Sequence, residues 1–228
     1  MSLSKSSVRQ NGSALFMILI AVALFAALSY ALSQQRDSGR ALSSEKIKLL
    51  ASDVIDMGQK MSETVAQMRL RNITLSKLSF ENASVTGYTN PACTVDACKI
   101  FAYAGGGRDW ETPAPDINNG VNWGYTGNLS VQNVGTSDAD LIAILPNISL
   151  VICNQLNKML GITGAPSVIS AVVADQYIGN FSASPVNLTS ASIDGKDAAC
   201  VQLSAPSGTA LVGPFTTPYA YYQVLSAR

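Results

Sequence analysis

Histidine is absent from this 228-residue chain. Its absence removes the commonest general base and the usual nitrogen ligand of zinc together. Charge is scarce as well: 13% of the residues are Asp, Glu, Lys or Arg, about half of the roughly 25% in an average globular protein. Part of that deficit is one long uncharged run near the N-terminus. The rest comes from a remainder that uses Ser, Thr, Asn and Gly where other proteins use Lys and Glu, a surface suited to an extracytoplasmic setting. No dense basic stripe of the kind that binds nucleic acid occurs. Net charge is zero, but residues 1–80 carry ten Lys/Arg and five Asp/Glu, while residues 81–228 carry five and ten. A basic first part fits a position near anionic lipid; the same asymmetry scattered over a solvated surface has no function. Cysteines number four, Cys93, Cys98, Cys153 and Cys200, an even count that reads as two disulfides in an exported chain. With histidine missing and the cysteines committed, no nucleophile has an identifiable base, so neither catalysis nor a cofactor is expected.

What is present begins with ALFMILIAVALFAALSYAL from Ala14 to Leu32, nineteen residues without a charge. As a helix it extends about 28 Å, close to the roughly 30 Å hydrocarbon core of a bilayer. Ahead of it lies a short polar stretch with Lys5 and Arg9, and positive charge on that side keeps it cytoplasmic. A plain signal anchor is one reading of this arrangement. A cleaved secretory signal is another, with Ala31-Leu32-Ser33 as a small-x-small site and Gln34 as the new N-terminus. A third rests on Gly12, directly at the junction of basic leader and apolar run. The segment after the run favours the third reading, because it continues as a polar helix without a proline. Leu42, Leu50, Val54, Met57, Met61, Val65 and Met68 recur three or four apart for the most part, the period of an amphipathic helix. Gly39 and Gly58 weaken such a helix by about 1 kcal/mol each relative to Ala without breaking it. One helix from Ala14 to about Arg71 would span roughly 85 Å.

A basic leader ending in glycine, an apolar half-helix and an amphipathic continuation together resemble the type IV pilin-like family. The resemblance covers about the first sixty residues. It implies that prepilin peptidase cuts after Gly12, that the mature chain starts at Ser13, and that the new amino group is methylated. It implies four segments: a leader over 1–12, a transmembrane and fibre-core helix over 13–33, an amphipathic stem over 34–71, and a globular head over 72–228. It further implies a single-pass protein of the bacterial inner membrane with a periplasmic head, which then joins a pilus or pseudopilus through its N-terminal helix. Its partners would be other pilin subunits, the peptidase and, before assembly, the inner membrane. The chain departs from the family at the fifth mature position, where pilins usually carry a glutamate and this sequence has Met17. That departure is similar to the minor pseudopilin that caps a type II secretion pseudopilus, and it points to a minor or tip subunit. Two rival functions stand beside this one: a secreted or periplasmic binding module released after Ser33, and a membrane-anchored periplasmic enzyme or inhibitor.

Beyond Arg71, short apolar runs alternate with turn signals such as Asn118-Asn119-Gly120. Strands are expected at Val121–Tyr125, Leu129–Val134, Ser167–Val173, Ala199–Leu203 and Tyr219–Leu225. One helix is expected from Ser149 to Leu160, capped by Ser149, ended by Gly161, with Val151, Ile152, Leu156 and Leu160 as its apolar stripe. The expected fold is α+β: a long N-terminal helix packed on an antiparallel sheet, as in pilins. Four cysteines allow three connectivities. A local Cys93–Cys98 bridge plus a long Cys153–Cys200 bridge is the preferred one, the latter resembling the C-terminal disulfide loop of pilin heads. In the chain-entropy account the two contribute roughly 2 and roughly 4 kcal/mol. Metal is not expected, since the cysteines lack zinc-site spacing and Asp138-Ala139-Asp140 sits in no calcium loop. Ala104-Gly105-Gly106-Gly107-Arg108 lacks the helix and Lys of a phosphate cradle and reads as a flexible turn. Trp110, Trp123, Tyr219, Tyr221 and Tyr222 read as sheet core in preference to an exposed binding face. Asn-x-Ser/Thr triplets at Asn72, Asn82, Asn128, Asn147, Asn180 and Asn187 are common in so Ser/Asn-rich a chain and carry no weight.

Overall fold

A computed structural model describes residues 12–169, 175–204 and 216–228, with the side chains of 12–15, 28 and 30–42 left aside. The expected leader before Gly12 lies outside these residues, as does most of the expected strand Ser167–Val173. Two compact units make up the chain, Met1–Lys46 and Ile47–Arg228.

The first helix, α1, runs Gly12–Leu70, and its last turns belong to the larger unit. There Ala51, Val54, Gly58, Met61, Val65 and Met68 face inward at alternating spacings of three and four, which places them on one side of the helix. Leu50 and Met57 flank that stripe half-buried. Gly58 has a use that helix propensity does not reveal. A β-carbon there would come within 3.2–3.3 Å of the Gln223 side chain, so glycine lets the helix lie close to the last strand. Ser62 Oγ donates to the Leu225 carbonyl and Arg69 Nη1 to Ser226 Oγ at 2.9 Å. Asn72, with a φ of 65°, turns the chain away at the end of α1.

Six strands form one sheet: β1 Gly124–Val131, β2 Asp140–Leu145, β3 Val168–Ile169, β4 Val186–Leu188, β5 Ala198–Leu203 and β6 Tyr219–Ser226. Their order is β3-β5-β6-β2-β1-β4. This corrects the expectation of a long helix packed on an antiparallel sheet, because the sheet is mixed. β1–β2, β2–β6 and β5–β6 are antiparallel, whereas the flanking pairs β1–β4 and β3–β5 are parallel. The parallel edges contribute only three and two paired residues, too few to show a period in sequence. A register shift between Thr126 and Leu129 carries one strand through what the sequence suggested were two.

A short helix, α2, spans Pro115–Asn118. The helix α3, Leu150–Met159, begins where expected: Ser149 accepts the Ile152 N–H, and Gly161 follows in the left-handed region. Its buried side is Ile152, Cys153, Leu156 and Asn157, while Val151 is exposed. Asn157 binds the backbone of Cys200 twice, donating to its carbonyl and accepting its N–H, both at 2.8 Å. It thereby pairs the edge of β5 where no strand does. Beside it, Cys153 is bonded to Cys200, and Cys93 to Cys98. Cys200 lies opposite Tyr221 in the ladder, and Gln223 shares the face of Tyr221. The end of α1 and the helix α3 therefore meet the same face of the sheet.

The membrane assignments need a second correction. Among the described residues no helix is long and apolar enough to cross a membrane. The transmembrane segment and the single-pass inner-membrane location with a periplasmic head are accordingly not supported.

Two outcomes follow from these contacts. Asn157→Ala should lower unfolding free energy by about 2–5 kcal/mol, since two buried backbone groups lose their partner; urea titration measures it. Asp140, fully buried, accepts the N–H groups of Val131 and Arg228. Burial nevertheless raises its pKa above the ordinary 3.8. The native state then holds that proton more tightly than the unfolded chain. Its contribution to stability is full below the ordinary value and is lost as pH rises through the raised one. Replacing it by Asn should flatten that part of the stability-against-pH curve.

Candidate functional site

Two features of the molecule offer chemistry that internal packing does not consume. The first lies on α1 in the smaller unit. Phe16, Met17, Ile18, Leu19, Ile20, Val22, Leu24 and Phe25 are 41–73% exposed. Five of them are consecutive, and at 100° per residue they point in every direction around the helix. Gly12 and Ser13, the expected processing residues, stand at the start of this helix. Met17 is among the exposed residues, where the resemblance would have a carboxylate. The expected disulfide residues Cys93, Cys98, Cys153 and Cys200 lie far along the chain in the larger unit and take no part in this feature.

The second feature is a cavity of about 140 Å³ in the larger unit. Its floor is the sheet side chain Tyr125 with Trp123 just before β1, and one wall is the α1 turn carrying Met57, Lys60 and Met61. The opposite wall is Phe101 and the segment Gly107–Glu111. That segment is held by a closely bonded turn. The N–H groups of Gly105 and Gly107 donate to the Ala102 carbonyl, Gly106 to Lys99, and Arg108 to Ile100. All four donors are spent inside the turn, so it cannot cradle a phosphate. The glycines are required by contact: a β-carbon on Gly105 would sit 2.0 Å from the Lys99 oxygen, and one on Gly106 2.4 Å from the Ile100 oxygen and 2.8 Å from Thr64. The expected flexible turn is thus a tightly packed one, seated against α1.

The aromatic lining falls into two groups, Phe101, Trp110 and Tyr125 in one and Trp123 in the other. Phe101 meets Trp110 edge-on at 5.0 Å, Trp110 meets Tyr125 at 6.5 Å, and Trp123 meets Tyr221 at 6.0 Å. Tyr125 stacks on Phe80 at 4.1 Å, and its backbone N–H donates to the Tyr88 hydroxyl at 2.9 Å. Burial pushes the Tyr88 phenol up to about 12 and the Tyr125 phenol higher still, so neither supplies a proton acceptor at neutral pH. Trp123 is 5% exposed. Among the described residues nothing accepts from the buried indole N–H groups of Trp110 and Trp123. Lys60 pairs with Asp56. That hydrogen bond chiefly, with Glu111 adding to it, raises the Lys60 pKa.

The tryptophans were read in sequence as sheet core. Trp123, Tyr221 and Tyr222 are buried, but Trp110 and Tyr219 are only half-buried. The cavity itself went unseen, because its walls come from residues 57–61, 101–111 and 123–143, and only a fold brings them together. Asp140 is turned to the backbone of the C-terminus, and among the described residues no group of three or more acidic or sulfur side chains could hold a metal ion.

Gly106→Val should force the turn away from Ile100 and Thr64, costing about 1–3 kcal/mol and shifting tryptophan emission to longer wavelength as the cavity opens. Thermal unfolding and emission spectra check both. Comparison with protein-family models, with curated proteins and with solved structures finds no match to this chain.

Proposed function

We propose that the chain is a structural subunit, of the minor or tip kind, in a type IV pilus or type II secretion pseudopilus. In this reading prepilin peptidase removes residues 1–12, and the subunit assembles through its N-terminal helix. The observation that carries it is the exposed apolar surface of α1 from Phe16 to Phe25. Each such side chain gains about 1.5–3 kcal/mol on leaving water. A helix apolar on one stripe is satisfied by one neighbour; a helix apolar all round needs several. Like helices of other subunits, bundled side by side, meet that requirement with complementary surfaces. Met17 fits a subunit that docks at an end of such a bundle: a buried carboxylate is costly without a partner, and a methionine has no such need. The larger unit, with its own core and two disulfides, is then the part that varies in task from one subunit to another.

Mass spectrometry of the mature N-terminal peptide tests the reading. The expected peptide begins at Ser13 and is heavier by one methyl group, and Gly12→Leu should leave the chain unprocessed. A mature chain beginning at Gln34 would lack the apolar helix and overturn the assembly role in favour of a released binding module. An intact Met1 would overturn the processing.

A further inference from the structure

We propose that the cavity between α1 and the Gly105–Glu111 segment binds one uncharged sugar ring, a pyranose bearing free hydroxyls. Four properties of the cavity select that class.

Size is the first. A volume of about 140 Å³ is close to that of a cavity that encloses a single benzene ring, so it takes one sugar ring with hydroxyls directed out of the mouth and not an extended chain. The walls are the second. Phe101, Trp110, Trp123 and Tyr125 line the space, and aromatic side chains are apolar surfaces against which the C–H groups of a sugar ring pack well.

Donors are the third property. Both indole N–H groups in these walls are buried, with no acceptor among the described residues. A buried donor without a partner is costly, and a ligand oxygen relieves that cost where a hydrocarbon ring does not. Charge is the fourth. Lys60, itself paired with Asp56, and Arg108 line the same space as Asp109 and Glu111. An anion meets two carboxylates there and a cation meets two cationic groups. A hydroxyl accepts from the one kind and donates to the other. The Gly105–Gly107 turn, with its donors internally spent, holds the Arg108–Glu111 wall in place before any ligand arrives, as expected of a largely pre-formed site.

The chain has two tryptophans, and both line this cavity, so intrinsic emission reports directly on it. The purified full chain is titrated with the methyl glycosides of glucose, galactose, mannose and N-acetylglucosamine, with benzoate and phenol as probes of the other ligand classes. The expected result is a saturable emission change with at least one glycoside, weakened by about tenfold in Trp123→Phe, which keeps the ring and removes the N–H. Glu111→Gln, on the exposed rim, should weaken the same glycoside at unchanged melting temperature, and it decides the question if the tryptophan variant does not fold. No saturable response to any glycoside would overturn the proposal. So would stronger binding of benzoate or phenol than of every glycoside, or glycoside binding that Glu111→Gln and a folded Trp123→Phe both leave unchanged. None of these outcomes bears on where the N-terminus is cut, so this proposal and the assembly role stand or fall separately.

Discussion

Every residue of β2, and every residue of β6 after Tyr219, is buried. Side chains on successive strand positions point to opposite faces, so the two central strands must be covered on both sides. That single requirement organises the larger unit. It explains why the final turns of α1 carry a strict three-four apolar spacing, and why Gly58 replaces a bulkier residue where the helix comes closest to Gln223. It also explains the lock on β5. An edge backbone buried beneath a helix must find hydrogen bonds, and Asn157 supplies both of them to Cys200 while the neighbouring Cys153 is bonded to the same residue. A scarcity of charged residues is compatible with this solution, because the buried polar side chains are mostly amides and hydroxyls, Asp140 being the buried carboxylate.

What was legible in the sequence follows physical scale. Strong local signals could be read: the helical period from Leu50 to Met68, the Ser149 cap with Gly161 beyond the end of α3, and the tyrosine-rich run of the final strand. β2, with the sequence DLIAIL, was missed because a strand buried on both faces shows no alternation, and a short continuous apolar run is ambiguous by periodicity. The mixed character of the sheet was missed because its parallel pairs are two or three residues long and bring together segments far apart in the chain, β1 with β4 and β3 with β5. The membrane assignment went too far in the other direction. It took nineteen uncharged residues as a span, whereas among the described residues no helix is long and apolar enough to cross a membrane.

The cavity shows a different limit. Its parts were each weighed in sequence, the glycine run as a turn and the tryptophans as core, and each reading was locally reasonable. Neither could show that the turn is seated against Thr64 of α1, or that this seating sets Trp110 across from Met57 and Lys60. A site assembled from three distant segments leaves no spacing to detect. The one clue available was the pair of indole N–H groups, which a purely structural core would leave without partners at a cost.

The two features differ in how they treat apolar surface, and the difference sorts their roles. In the larger unit most large apolar side chains are gathered in one core, and those left exposed, such as Leu49, Leu70, Val95 and Tyr103, are scattered along the sequence. In the smaller unit the apolar side chains of Phe16–Phe25 are exposed all around one helix. Were the exposed residues confined to one stripe, a single partner would suffice and a dimer would be the natural end-point. With the surface apolar in every direction, the proposed assembly has room for more than one neighbour around the helix. In the proposed assembly role the helix would govern how copies accumulate, and the disulfide-bonded unit what they meet.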